Sequence, residues 1–132
     1  MESNLEHIYL YVSNLDKSYE FYKNFLEYLN YKEVLKADWG CAFMKDGISI
    51  WLEQTPQDHI DTKYHRRQTG LNHLAFKVKS KDDVDTFYKD FLEENKIETL
   101  YDTPKPFPEY DKNYYAVYFE DPDGIKLEIA YY

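Results

Sequence analysis

Apolar and polar residues alternate strictly in two short runs of this chain. In residues 7–12, Ile8, Leu10 and Val12 form an aliphatic face, and His7, Tyr9 and Tyr11 form the opposite one. In residues 73–78, Leu74, Phe76 and Val78 oppose His73, Ala75 and Lys77. A period of two predicts a β-strand in each place. After each run the period lengthens to that of a helix. Tyr22, Phe25, Leu26 and Leu29 form the apolar stripe of the first helix, with Asn14 as its N-cap. Val84, Phe87, Tyr88, Phe91 and Leu92 form the stripe of the second, with Ser80 as cap and Asp83 in a capping-box position. Three strands are expected after each helix, near 31–37, 40–45 and 48–54, then near 96–101, 113–120 and 125–131. Asp46-Gly47 and Asp121-Pro122-Asp123-Gly124 read as the hairpin turns.

Each half therefore reads βαβββ, and the halves are copies. Leu5-Glu6-His7-Ile8-Tyr9-Leu10-Tyr11-Val12 is echoed by Leu71-Asn72-His73-Leu74-Ala75-Phe76-Lys77-Val78. The same offset, 66 positions (73 − 7), carries Phe21-Tyr22-Lys23-Asn24-Phe25-Leu26 onto Phe87-Tyr88-Lys89-Asp90-Phe91-Leu92. The closing strings around Gly47 and Gly124 are offset by 77, so the second copy has gained 11 residues between its helix and its last strand. Half of a 132-residue chain is too short to bury a good core alone. The expected fold is α+β: paired βαβββ modules forming a half-barrel mixed sheet with a concave cleft. It is read as one domain over 1–132, with module one at about 5–54, a polar connector at about 55–70 and module two at about 71–132. Pro104-Lys105-Pro106-Phe107-Pro108 falls in the inserted part and is expected to overhang the site rather than build the core.

The last strands obey the same parity. Ile48, Ile50 and Leu52 leave Ser49, Trp51 and Glu53 opposite; Ile125, Leu127 and Ile129 leave Lys126, Glu128 and Ala130 opposite. With the aliphatic faces turned to the helices, His7, His73 and Glu128 share the other side of the sheet system. Two histidines and one carboxylate with open positions suit a divalent transition metal such as Zn, Ni, Mn or Fe. The bland alternative makes Glu128 a partner for Lys126 or Lys77. Trp51 stands where Glu128 stands in the other copy, so a symmetric fourth ligand is missing. Glu53 lies two residues further on that face and is a candidate catalytic base, or else a solvated strand-end carboxylate. Tyr9, Tyr11, Trp51, Lys77, Tyr114 and Tyr118 are candidate substrate-binding residues. His59 and His65 read as surface residues of the connector. The Tyr64-His65-Arg66-Arg67 cluster reads either as a solvated loop or as a seat for an anionic substrate group.

Composition narrows the partners. A formal charge of −9 disfavours nucleic acid and anionic membrane, which need basic patches, and permits a metal cation. Fifteen tyrosines and two tryptophans supply core packing, a pocket lining or an interface. Cys41 is the only cysteine and cannot form an intramolecular disulfide. No signal peptide and no apolar run of about 20 residues is visible, so a cytoplasmic protein is expected. Exposed strand edges and aromatic surface predict a homodimer.

The repeat resembles the vicinal oxygen chelate superfamily, the glyoxalase, bleomycin-resistance and ring-cleaving dioxygenase group. The resemblance runs from His7 to Glu128. It is carried by His7-Ile8-Tyr9-Leu10-Tyr11-Val12, Leu15-Asp16-Lys17-Ser18-Tyr19-Glu20-Phe21-Tyr22, Gly70-Leu71-Asn72-His73-Leu74-Ala75-Phe76 and Glu120-Asp121-Pro122-Asp123-Gly124-Ile125-Lys126-Leu127-Glu128. By that likeness the four ligand positions fall on His7, Trp51, His73 and Glu128. Trp51 departs from a glyoxalase I-like pattern, which places a carboxylate there. Fosfomycin-modifying members and extradiol dioxygenases match two His and one Glu, although the former usually carry Thr where this chain has Tyr9. The chain looks most like the small glyoxalase-like members of bacteria. Two functions follow from the resemblance. One is a metal-dependent enzyme whose divalent ion chelates vicinal oxygens of a small substrate, with lyase/isomerase, dioxygenase or epoxide-opening chemistry. The other is a metal-free module that sequesters a small aromatic compound or antibiotic.

Overall fold

Eight strands and two main helices follow the order expected from the periodicity. The computed structural model describes residues 1–132 and divides into two units, Met1–Lys63 and Tyr64–Tyr132. No helix is long and apolar enough to cross a membrane.

In the first unit, β1 (His7–Val12) leads to α1 (Leu15–Tyr28), then β2 (Lys32–Ala37), β3 (Gly40–Lys45) and β4 (Ile48–Gln54). The sheet order is β1-β4-β3-β2, with β1 parallel to β4 and the other pairs antiparallel. Helix α1 starts where Asn14 accepts a hydrogen bond from the Lys17 amide, 2.9 Å away. It packs on β2, β3 and β4 and buries Tyr22, Phe25 and Leu26 completely. Each such side chain contributes roughly 1.5–3 kcal/mol. Leu10, Val12, Ile50 and Leu52 are buried, while Tyr9 and Tyr11 are exposed, so the parity expected of β1 and β4 holds. The β3–β4 turn has positive φ at both Asp46 (52°) and Gly47 (81°), the combination a tight hairpin needs.

The second unit repeats the plan. It runs β5 (His73–Lys77), α2 (Lys81–Phe87), a π-helical stretch Tyr88–Glu93, β6 (Thr99–Pro106), β7 (Tyr115–Glu120) and β8 (Lys126–Tyr131). The sheet order is β5-β8-β7-β6, with β5 parallel to β8. Ser80 caps α2 by accepting from the Asp83 amide, and the Asp83 carboxylate reaches back to the Ser80 hydroxyl and the Lys79 amide. Asp121 shapes the β7–β8 turn, its Oδ1 accepting from the Asp123 and Ile125 amides at 2.8 Å each.

Two expectations need correction here. The helix of the second copy does not continue as an α-helix past Phe87; the Tyr88–Glu93 segment widens to π geometry while Phe87, Phe91 and Leu92 all stay buried. The Pro104–Pro108 segment is also more than an overhang. Residues through Pro106 belong to β6, and Phe107, 9% exposed, packs with Ala116, Tyr118 and Ala130. The flanking prolines suit an edge strand, and a phenyl ring has more to gain from burial than a loop tip offers.

Candidate metal and substrate site

Strand register makes the two copies comparable residue by residue. His7 lies opposite Ser49 and Tyr9 opposite Trp51; His73 lies opposite Lys126 and Ala75 opposite Glu128. Trp51 and Glu128 are therefore equivalent positions carrying different chemistry.

In the second unit, Glu128 is 1% exposed, and its Oε2 lies 3.0 Å from Nε2 of His73. Its Oε1 accepts a hydrogen bond from the Tyr114 hydroxyl at 2.7 Å. The other histidine nitrogen, Nδ1, lies 2.6 Å from Oδ1 of Asn72. Asn72 turns its amide nitrogen to the Arg66 carbonyl, 3.2 Å away, which leaves Oδ1 for the imidazole. Nδ1 then donates to Asn72, and Nε2 is the nitrogen turned toward Glu128. The carboxylate oxygen it faces is buried and has no other partner. Two such atoms at 3.0 Å need a cation or a proton between them. Ligand atoms held about 2.0–2.2 Å from one ion at right-angled to tetrahedral angles lie roughly 2.8–3.6 Å apart. The pair thus fits two places on a divalent ion, with Asn72 and Tyr114 as the outer groups that orient them. Neither Lys126 nor Lys77 serves as the partner of Glu128: the Lys77 ammonium lies 4.0 Å over the Tyr132 ring, and that of Lys126 over Tyr101 and Tyr118.

A cavity of about 490 Å³ opens beside this pair, a usual size for a small-molecule site. It is lined by Asn72, His73, Tyr101, Phe107, Tyr110 and Tyr114, together with Tyr118, Lys126 and Glu128. Burial first, and then the Glu128 carboxylate, push the Tyr114 and Tyr118 phenols well above the usual tyrosine range. Both hydroxyls are therefore donors at neutral pH.

The first unit holds the equivalent histidine in a similar way. Nδ1 of His7 is hydrogen-bonded to the carboxylate of Glu6, the residue just before it, as Asn72 precedes His73. Where the second copy has its acid, the first has a stack of rings. Tyr9 and Trp51 are 5.9 Å apart and nearly parallel, and Trp39 continues the stack at 6.5 Å. Trp51 donates its indole N–H to Ser49 Oγ at 2.9 Å. The Tyr9 hydroxyl donates to Glu53 at 2.5 Å, and this bond to a carboxylate is the main reason the phenol is pushed up to about 12. Tyr11 is exposed beside Tyr9, with ring centres 6.3 Å apart. Neither unit by itself assembles three or more His, Cys, Asp or Glu side chains.

His73, Glu128, Tyr114 and Tyr118 are thus brought together in one cavity, while Lys77 does not line it. In the connector, Arg66 is held in an ion pair with Glu120, and His59 sits at the surface. Sequence reasoning missed Asn72, Tyr101, Tyr110 and Trp39, and placed Phe107 only in a segment overhanging the site. The insertion in the second copy was the available signal for Tyr110, which comes from it.

The profile of the Glyoxalase/Bleomycin resistance protein/Dioxygenase superfamily matches residues 4–129, and the chain belongs to that superfamily. It is 40% identical to the protein YqjT of Bacillus subtilis (strain 168) over 126 residues, covering 96% of this chain and 97% of that one. It is 31% identical to the metallothiol transferase FosB of Staphylococcus haemolyticus (strain JCSC1435), covering 98% of this chain and 84% of the relative. Among solved structures, a glyoxalase-like protein from Bacillus halodurans superposes with a TM-score of 0.88 at 33% identity, covering 97% of this chain and 95% of the other.

Proposed function

We propose that this protein is a metal-dependent enzyme that joins a thiol to a small electrophilic substrate, with epoxide opening as the matching reaction type. His73 and Glu128 of the second unit would hold a divalent ion. The observation that carries the reading is Nε2 of His73 facing the buried Oε2 of Glu128 at 3.0 Å, with no further donor on that oxygen. The reaction type draws its support from the FosB relative, whose name describes a metallothiol transferase. When bound, the ion acts as a Lewis acid toward substrate oxygens. The chain's own residues do the rest. Asn72 and Tyr114 fix the directions of the imidazole and the carboxylate. Phe107, Tyr110 and Tyr118 wall the cavity. Glu53, already accepting a hydrogen bond from the Tyr9 hydroxyl, is the candidate base in the first unit.

Elemental analysis of protein purified without chelator tests the reading. One divalent ion per chain is expected in the native protein and none in His73→Ala. The ring stack Tyr9–Trp51–Trp39 favours a second reading, a metal-free module that sequesters flat aromatic compounds. Native protein free of metal that binds such compounds with unchanged affinity in His73→Ala would establish it instead.

A further inference from the structure

In the Tyr64-His65-Arg66-Arg67 run of the connector, Tyr64 and Arg66 are committed within the second unit rather than offered to solvent or to an anion. The Arg66 side chain is 24% exposed and ion-paired with Glu120, the last residue of β7, 54 positions away. The Tyr64 hydroxyl donates to the Leu71 carbonyl at 2.7 Å, which ties the start of this loop to its end. Between the two ties, the Arg66 carbonyl is presented to Asn72, whose Nδ2 donates to it at 3.2 Å. A carbonyl only accepts hydrogen bonds, so it selects the NH₂ edge of the Asn72 amide. The other edge, Oδ1, is thereby turned to Nδ1 of His73 at 2.6 Å. A neutral imidazole carries one ring proton. Bonded to Oδ1, that proton is on Nδ1, and the 3.0 Å gap between Nε2 and the Glu128 carboxylate is left open to a cation. With the amide turned over, Nδ1 would have to accept, and a proton on Nε2 would fill that gap itself.

We propose that Arg66 is a positioning residue for the site: anchored on Glu120, it holds its own carbonyl against Asn72 and so keeps the open nitrogen of His73, Nε2, aimed at Glu128. The consequence for metal uptake rests on the proposed function; the orientation of Asn72 and His73 does not. The effect of Arg66 on the imidazole passes through one side-chain amide, whose two edges have opposite hydrogen-bonding character. Loss of the ion pair releases the loop and with it the carbonyl, and Asn72 is then free to turn either edge to His73.

The test uses chelator-dialysed protein with ¹⁵N-labelled histidine. Two-bond ¹H–¹⁵N correlation spectra, taken at alkaline pH where the ring signals have stopped moving, show which nitrogen of each ring carries the proton, and His73→Ala assigns the signals. Wild type is expected to show the His73 proton on Nδ1. Arg66→Met and Glu120→Gln are each expected to raise the Nε2–H population at least threefold, and the double variant no further than the larger of the two. Asn72→Asp added to Arg66→Met is expected to restore the wild-type form, because a carboxylate offers His73 an acceptor whichever way it turns. In the same proteins Zn²⁺ affinity, read by competition with a chromophoric chelator, should fall about tenfold in Arg66→Met and recover with Asn72→Asp. An unchanged proton position in Arg66→Met and Glu120→Gln, or a shift that Asn72→Asp does not reverse, would overturn the proposal. If wild type binds no Zn²⁺ but the shift and its reversal are seen, the metal reading falls and Arg66 stands as the residue that positions His73.

Discussion

The carboxyl of Glu128 is buried, so each oxygen is costly to leave without a partner. Tyr114 satisfies Oε1 and leaves Oε2 directed at His73. Tyr114→Phe keeps a ring that stacks on Tyr132 and meets Phe107 edge-on, but removes the donor. Its expected cost is about 1–3 kcal/mol in urea unfolding. Metal affinity, read by competition with a chromophoric chelator, should fall by roughly 10–100-fold. Unchanged metal affinity would show that the hydroxyl does not orient the carboxylate. His73 and Glu128 were legible from strand parity alone. Asn72 and Glu6 were not, because each lies just before its strand, where alternation no longer dictates direction. Nor could alternation show that Arg66 reaches Glu120 from 54 positions away.

At the scale of elements, the caps were the most readable features. Asn14 and Ser80 each bond the amide three residues on, and a short polar side chain before an amphipathic stripe has few other uses. Asn14→Ala should cost about 1 kcal/mol, seen as a lower urea midpoint at an unchanged slope. A slope that changes as well would mean that α1 frays rather than merely losing its cap. The strands of the first unit were legible to within a residue because short turns punctuate a clean alternation. Strand β6 was not. Its pairing jumps from Leu100 opposite Tyr118 to Lys105 opposite Ala116. Between them Tyr101 and Asp102 take positive φ of 61° and 52°, a conformation costly for a tyrosine and invisible to hydrophobic periodicity. Thr103 mends the ladder, accepting from the Tyr118 amide at 3.0 Å and donating to the Leu100 carbonyl at 2.7 Å. The excursion is what lets Tyr101 reach the cavity, so the segment least legible in the sequence is one that builds the site.

For the whole molecule, the repeat explains the scaffold and its broken symmetry explains the division of labour. Both units have one parallel and two antiparallel pairings in the same order, yet one position carries Trp51 in the first and Glu128 in the second. The first unit consequently exposes aromatic surface: Tyr9, Tyr11 and Trp39 are all more than 40% accessible. Edge strands β2 and β6 are guarded by lysines or prolines, which discourage open-ended strand pairing. A closed two-fold contact through the exposed rings is the economical way to cover them, because each ring meets its counterpart once and no further copy can add. Each chain brings a charge of −9 to that contact, so the partners repel until salt screens them. The protein should therefore sediment as a homodimer at micromolar concentration, with a dissociation constant that falls as ionic strength rises. Trp39→Ala, which removes a half-exposed ring from the turn between β2 and β3, should raise that constant, and the lost stacking on Trp51 should lower the urea midpoint of the monomer as well. A monomer at every concentration and salt would remove the idea. A dimer weakened by added salt would mean that ion pairs rather than aromatic rings hold it together.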